Sequence, residues 1–354
     1  MGGKKKGGDG KKKAGKAAVD ENDTQVADFW KLYRKTVVEY DVEISKQIKA
    51  QMVKIDEGDQ DYITKYHSWE ELGWPGIKAI TESLKTVNYN KLYSLRLWKS
   101  YIEDEGVRAI CEFLHGNISM LCLELMDNKI TPLGCEFLGR TLTPGPKCAP
   151  ICFLKLDCNN FGSAGVENLC SGLKTNEMIK MLSLCYCGID AKGARPLFEC
   201  LIFSKSRLEE LILTGNRLKN EGTTMILRGV SIAKELKKIY LADNQFTEEP
   251  DMLEAIKTCM TRNKTLAKYD FRFNDLKDAA IIFFTEMLGP EEEGKISHVT
   301  ELECGERAIG KILTDPGPPE VMTPYVNLFK DQLALNKPKK GKKGKGAKGK
   351  KKKK

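Results

Sequence analysis

The chain of 354 residues has no run of 18 or more apolar residues, so no helix in it is expected to cross a membrane. Its opening stretch, Met-Gly-Gly-Lys-Lys-Lys6, lacks the apolar segment of a secretory signal, and Lys6 stands where a myristoylation signal needs Ser or Thr. Histidine is scarce. His67, His115 and His298 lie far apart, and none sits beside a matched Ser or Cys nucleophile motif. The sequence has neither a G-x-x-x-x-G-K-[ST] phosphate loop nor an H-E-x-x-H metal motif. We therefore expect no catalytic residue, no cofactor and no metal.

Cysteine, by contrast, is plentiful. Twelve cysteines in a chain without secretory features point to free thiols rather than a disulfide framework. Cys185-x-Cys187 and the run Cys148, Cys152, Cys158 invite a zinc reading, but partly buried small hydrophobes is the better one. The net charge of +9 is unevenly spread. Residues 1–18 carry seven lysines against Asp9, and residues 337–354 carry twelve lysines and no acid, which leaves about −9 on the stretch between them. Two basic ends too poor in apolar residues to fold thus flank an acidic body. Such ends attract polyanions such as nucleic acid, an anionic membrane or the acidic tails of tubulin. No aromatic residue interleaves the lysines, so base stacking is not indicated.

The body is dominated by one recurring pattern. Leu208, Leu211, Leu213, Asn216 and Leu218 spell L-x-x-L-x-L-x-x-N-x-L, followed by a turn and a helical stretch from Gly222. Copies centre on Ser100, Asn128, Asn159, Cys187, Asn216, Asn244 and Asn274, at steps of 28, 31, 28, 29, 28 and 30 residues. The 31-residue step holds an inserted loop, Thr143 to Pro150. Thr131-Pro132 supplies a helix N-cap with proline after it, and Asn117, Asn176 and Asn263 stand where helices end. A half-copy at Tyr62 to Leu84 and a worn eighth at Val299, Leu302, Cys304, Arg307 and Ile309 flank the series. Period-2 leucines predict a short strand with one buried face, and a unit that cannot bury that face alone must stack on its neighbours.

Three further segments complete the division. Residues 19–60 have helical spacing (Val26, Phe29, Tyr33, Val37, then Ile44, Ile48, Met52), as one long helix or two broken near Asp41, and read as a cap on the stack. Residues 61–310 form the repeat region, 311–336 a proline-rich connector (Asp315 to Pro319) with a short amphipathic helix over Val321 to Leu335 (Tyr325, Leu328, Phe329, Leu333) that reads as a C-terminal cap, and 337–354 the lysine tail.

This 28–29-residue step, with a full helix in each unit, resembles the ribonuclease-inhibitor-like class of leucine-rich repeats. The resemblance covers roughly Trp69 to Ile309 and implies an α/β solenoid: a horseshoe with a parallel sheet on the concave side and helices on the convex side. It also implies a non-enzymatic interaction scaffold, since members of the class are mostly binding proteins. The side chains flanking the buried leucines should line the concave face. Among them Arg96, Glu124 and Lys155 should form a charge ladder. Trp98, Met126, Phe153, Met181, Tyr186, Ile212 and Tyr240 should offer an apolar footprint for a protein partner, with Arg272 at the far end. Lys/Gly-rich ends are similar to those of ciliary and flagellar scaffolds, so we expect a cytoplasmic component of a larger assembly, in a cilium or axoneme, its tails on tubulin. Two other readings stay open: a regulator of a small GTPase, like the Ran GTPase-activating protein, and a nuclear factor bound to RNA or chromatin.

Overall fold

The structure, a computed structural model, describes residues 24–289 and 294–304. Both lysine-rich ends, the connector, the 321–335 helix expectation, and Arg307 and Ile309 of the eighth copy lie outside the described residues. In chain order the elements are α1 (Gln25–Glu39), α2 (Lys46–Asp56), β1 (Lys65–Ser68), α3 (Gly73–Thr86), β2 (Ser94–Trp98), α4 (Glu103–Leu114), β3 (Cys122–Met126) and α5 (Pro132–Leu142). Next come β4 (Phe153–Lys155), α6 (Gly162–Leu173), β5 (Met181–Ser183), α7 (Ala194–Ile202), β6 (Glu210–Ile212) and α8 (Lys219–Val230). The series closes with β7 (Lys238–Tyr240), α9 (Pro250–Arg262), β8 (Lys268–Asp270), α10 (Asp278–Met287) and β9 (Glu301–Glu303).

The nine strands of the described residues join one sheet in chain order, and every neighbouring pair is parallel. Parallel neighbours need a crossover, and in each unit the helix supplies it. The period-2 leucines define the register: Leu95, Leu123, Leu154, Leu182, Leu211, Ile239, Tyr269 and Leu302 occupy one row, all buried against the helices. Even the half-copy contributes a strand, with Tyr66 buried in register with Leu95. The eighth copy does so through Leu302.

What holds the strand ends together is the asparagine column. Asn159 is fully buried; its amide nitrogen donates to the Leu125 and Leu156 carbonyls (2.7 and 2.8 Å), and its carbonyl accepts from the Asn128 and Ile130 N–H groups (2.8 and 3.1 Å). One side chain thus satisfies four backbone groups in two units, groups that would otherwise be buried without partners. Asn216 and Asn274 repeat the arrangement. Cys187 fills the same place by donating its thiol to the Leu156 and Cys185 carbonyls. At Ser100 the shorter side chain finds no partner for its hydroxyl.

The column also imposes a backbone conformation. The residue just before each of these positions has a positive φ: Lys99 (54°), Asp127 (52°), Cys158 (61°), Tyr186 (53°), Gly215 (75°), Asp243 (52°) and Phe273 (58°). Outside glycine that region costs on the order of 1 kcal/mol per residue, so the surrounding hydrogen bonds must hold it.

On the first unit sit α1 and α2, separated by a break at Asp41, whose φ is 51°. Phe29 stacks on Tyr33 with centroids 5.6 Å apart, and the Thr36 and Ser83 hydroxyls meet at 3.1 Å, joining α1 to α3. Ser45 caps α2, its hydroxyl accepting from the Ile48 N–H and from Tyr66, while its own N–H donates to the Tyr33 hydroxyl. Val26, Phe29, Tyr33, Ile48 and Met52 are buried there, so the end of the stack is shielded from water.

Replacing Asn159 by Ala strands two N–H groups and two carbonyls in a dry turn. The variant should lose about 3 kcal/mol or more of unfolding free energy, read from its denaturant midpoint, whereas a midpoint shift near zero would show that the column is dispensable.

Candidate protein-binding face

Three rows of side chains stand on the concave side of the sheet, set by the register of the strands. In the first row Ser94, Cys122, Phe153, Met181, Glu210, Lys238, Lys268 and Glu301 follow one another. Two residues further along each strand, the second row reads His67, Arg96, Glu124, Lys155, Ser183, Ile212, Tyr240, Asp270 and Glu303. A third row contains Trp98 against Met126. Trp98 (50% exposed) and Phe153 (40%) are therefore both on the inner curve, but four residues apart along the strand direction, or roughly 13 Å. The apolar footprint expected as one group is split into two clusters with a polar row between them.

That polar row is the anticipated charge ladder, with one change. Arg96 grips Glu124 at two points, 2.8 and 2.9 Å, and Glu124 is only 4% exposed. Glu124 is accordingly a buried anchor for Arg96 and not a contact for a partner. Lys155 is next in the row and, among the described residues, pairs with no carboxylate. Asp157 turns instead to its neighbours, accepting from the Ser183 hydroxyl and the Cys185 N–H (2.7 and 2.8 Å). His67 meets the Ser94 hydroxyl at 2.9 Å; burial, then the nearby Arg96 charge, lower its pKa below the ordinary histidine value.

Tyr186 does not belong to the sheet face. It occupies the positive-φ site before Cys187, so its side chain leaves the end of the strand and lies flat over Gly215, where a Cβ would come within 2.2 Å of the ring. It is 55% exposed, on the rim. Met126, Met181, Ile212 and Tyr240 are on the concave face but half-buried. Arg272 is committed as well, bonded to Asp270 through two nitrogens and to Glu303 at 2.9 Å.

Several exposed apolar residues escaped the sequence reading. Trp69 is 69% exposed and follows Ser68, which registers with Leu97, so it stands one place before Trp98 in the third row. At the opposite lip of the sheet, Leu121 and Cys122 N–H groups both donate to the Tyr93 carbonyl, and Cys152 and Phe153 both donate to that of Leu121. The same doubled bond recurs at Cys152, Lys180, Glu209, Lys237 and Ala267; in the first two units the residues at this lip are Tyr93 and Leu121, and both are exposed. Further on, the lip is charged: Glu209 joins Lys180 and Lys237 at 3.7 and 2.6 Å. The same division runs across the face. Beyond β5 the charges close on one another, as in Glu210–Lys238 (3.0 Å), Lys268–Glu301 and Arg272–Asp270. Before it, large apolar side chains face water.

The thiols behave as packing groups. Burial pushes the Cys111, Cys185, Cys259 and Cys304 thiols up to about 12, far from the reactive thiolate range. Among the described residues no three His, Cys, Asp or Glu side chains converge on a point that could hold a metal ion.

Residues 116–139, the stretch from the end of α4 through β3 and most of α5, match the family described as Leucine Rich repeat. The chain has the leucine-rich repeat fold, and its repeats are similar to those of ribonuclease-inhibitor-like proteins. It is 28% identical over 223 residues to the ribonuclease inhibitor of Mus musculus, covering 62% of this chain and 46% of that one. It is 30% identical over 209 residues to NACHT, LRR and PYD domains-containing protein 14 of Homo sapiens, and 26% over 217 residues to protein 12 of that series from Mus musculus. These matches cover 58% and 60% of this chain but only 18% and 20% of the relatives, so the repeat protein spans about a fifth of their length. Among solved structures, an internalin from Listeria monocytogenes aligns over 80% of this chain and 68% of its own at 15% identity and a TM-score of 0.39. The described part of the repeat protein contains no helix long and apolar enough to cross a membrane.

The half-buried setting of His67 predicts a pH response. A histidine pKa lowered by folding means that the unfolded chain takes up more protons, so stability is full above the unfolded value of about 6.5 and falls as pH drops through the folded value. The denaturant midpoint should fall between pH 7.5 and 5.5, and His67→Gln should flatten that slope; an unchanged slope would remove His67 as its source.

Proposed function

We propose that this leucine-rich repeat protein is a non-enzymatic scaffold that holds a protein partner on the N-terminal half of its concave sheet. The observation that supports the reading is the asymmetry of that face. From β6 on, charged side chains neutralise each other within the sheet, while over β1 to β5 Trp69, Trp98, Phe153 and Leu121 are left in water beside an unpaired Lys155. Exposed aromatic residues around a polar centre are the composition of a binding hot spot, and folding stability gives no reason to keep them there. Leucine-rich repeat proteins act as interaction scaffolds, and the ribonuclease inhibitor among the relatives is named for an inhibited protein.

The lysine-rich ends supply the second half of the proposal. Residues 1–18 and 337–354 together carry about eighteen net positive charges, which attach the scaffold to an acidic polymer. We assign that polymer to the microtubule of a ciliary axoneme, on the likeness of the Lys/Gly-rich ends to those of axonemal components. The alternative, a regulator of a small GTPase, would be favoured by a loss of GTP-hydrolysis stimulation on Arg96→Ala.

The two halves are tested separately. Full-length protein should cosediment with microtubules and lose most of that binding when tubulin's acidic tails are removed; binding indifferent to those tails, or displaced only by RNA, would turn the reading toward a nuclear factor. For the concave face, a photo-reactive residue replacing Trp98 in ciliated cells should capture a protein that the same probe at Glu167, on convex α6, does not. Trp98→Ala should weaken that complex by about 2 kcal/mol, roughly thirty-fold.

A further inference from the structure

The convex side has a gap that the repeat itself does not explain. Between α8 and α9 runs an open groove of about 940 Å³, against about 320 Å³ for the cleft between α6 and α7. Met225, Met252 and Ala255 form its apolar floor, and Ile232 stands exposed at its edge. Its charges are sorted by position. Glu221, Asp251 and Glu254 lie towards the N-terminal ends of the two helices, and Arg228 and Arg262 towards the C-terminal ends. Neither arginine has a carboxylate partner among the described residues, and neither do Glu221 and Asp251; Glu254 reaches only Lys257, at 4.0 Å.

A segment of this chain has the complementary pattern. In Val321 to Leu335 the residues Tyr325, Leu328, Phe329 and Leu333 repeat at helical spacing, and Thr323-Pro324 has the same N-cap and proline order as Thr131-Pro132, which starts α5. From Pro324 to Leu335 the sequence predicts a helix of about the length of α8. Asp315 and Glu320 precede it, and Lys337, Lys339 and Lys340 follow. We infer that residues 321–335 dock in the α8–α9 groove, antiparallel to both helices. In that direction the leading acids meet Arg228 and Arg262, the trailing lysines meet Glu221, Asp251 and Glu254, and the apolar stripe covers Met225, Met252 and Ile232. Antiparallel neighbours also align opposite helix dipoles. The sixteen residues 305–320 between β9 and this segment can span about 50 Å when extended.

The inference is independent of any partner on the concave face. A benzophenone side chain in place of Ile232, in the full-length protein, should cross-link on irradiation to a peptide within 321–335 of the same chain. The yield should stay constant on ten-fold dilution and fall about ten-fold with Phe329→Asp, which removes an apolar anchor from the floor. The same probe at Glu167, beside the narrower cleft, should give no such adduct. An adduct to a second copy, lost on dilution, would assign the groove to self-association. An adduct elsewhere, equal yields at both positions, or no change with Phe329→Asp would each overturn the inference.

Discussion

The turns at the strand ends are closed by a column of side chains in which Asn159, Asn216 and Asn274 each bond four backbone groups in two successive units. The consequence reaches beyond local order. Because the Asn159 carbonyl accepts from Asn128 and Ile130 while its amide holds Leu125 and Leu156, neighbouring units cannot slip relative to each other without breaking several buried bonds at once. Slippage by one residue would also turn every leucine into solvent. The column thus determines the strand register, and the register determines which side chains share a row on the concave face. It holds Lys99, Cys158 and Phe273 in a left-handed conformation that their side chains do not favour. Where glycine relieves that cost, at Gly215, the space is taken by the ring of Tyr186.

On this frame the two halves of the concave sheet have been treated differently. Over β6 to β9 the chain spends its charges on itself, with Lys238 on Glu210 and Arg272 between Asp270 and Glu303. Exposed pairs of this kind add little stability, yet they leave the surface without unpaired charge for a partner to neutralise. Over β1 to β5 the sheet instead presents tryptophan at one lip and Phe153, Leu121 and Tyr93 at the other, with Arg96 held upright by the buried Glu124. An arginine fixed by a two-point pair between aromatic lips is a preorganised surface, and preorganisation lowers the entropy lost on association.

Much of this was legible in the residues. The leucine and asparagine spacing carried the fold, and it survived in copies as degraded as Lys65 to Ser68 and Glu301 to Glu303, because one buried apolar residue per strand, Tyr66 or Leu302, suffices to hold the register. The face was legible less completely. Counting alternate residues identifies a side of a strand but not a row, so Trp98 and Phe153 were grouped although the sheet separates them. The rule also ends where the strand ends, which is why Tyr186 was misplaced by a turn of positive φ. Burial of Glu124 depends on Arg96 and Cys122, and exposure of Tyr93 and Leu121 on their place at the lip just before the strands; neither leaves a signature in composition. Trp69 was hidden because the terminal unit hardly resembles the others. The spacing between α8 and α9 is set by packing and has no counterpart in any motif.

The central claim is that the aromatic half of the concave sheet is covered when the protein is at work. Hydroxyl-radical footprinting, applied to the isolated protein and to the same protein in its native assembly, reads side-chain accessibility directly. The account predicts that Trp69, Trp98, Phe153 and Met181 lose most of their reactivity in the assembly while Tyr240 and the convex Phe137 keep theirs. Unchanged reactivity at those four positions, with protection arising on the convex helices instead, would contradict it.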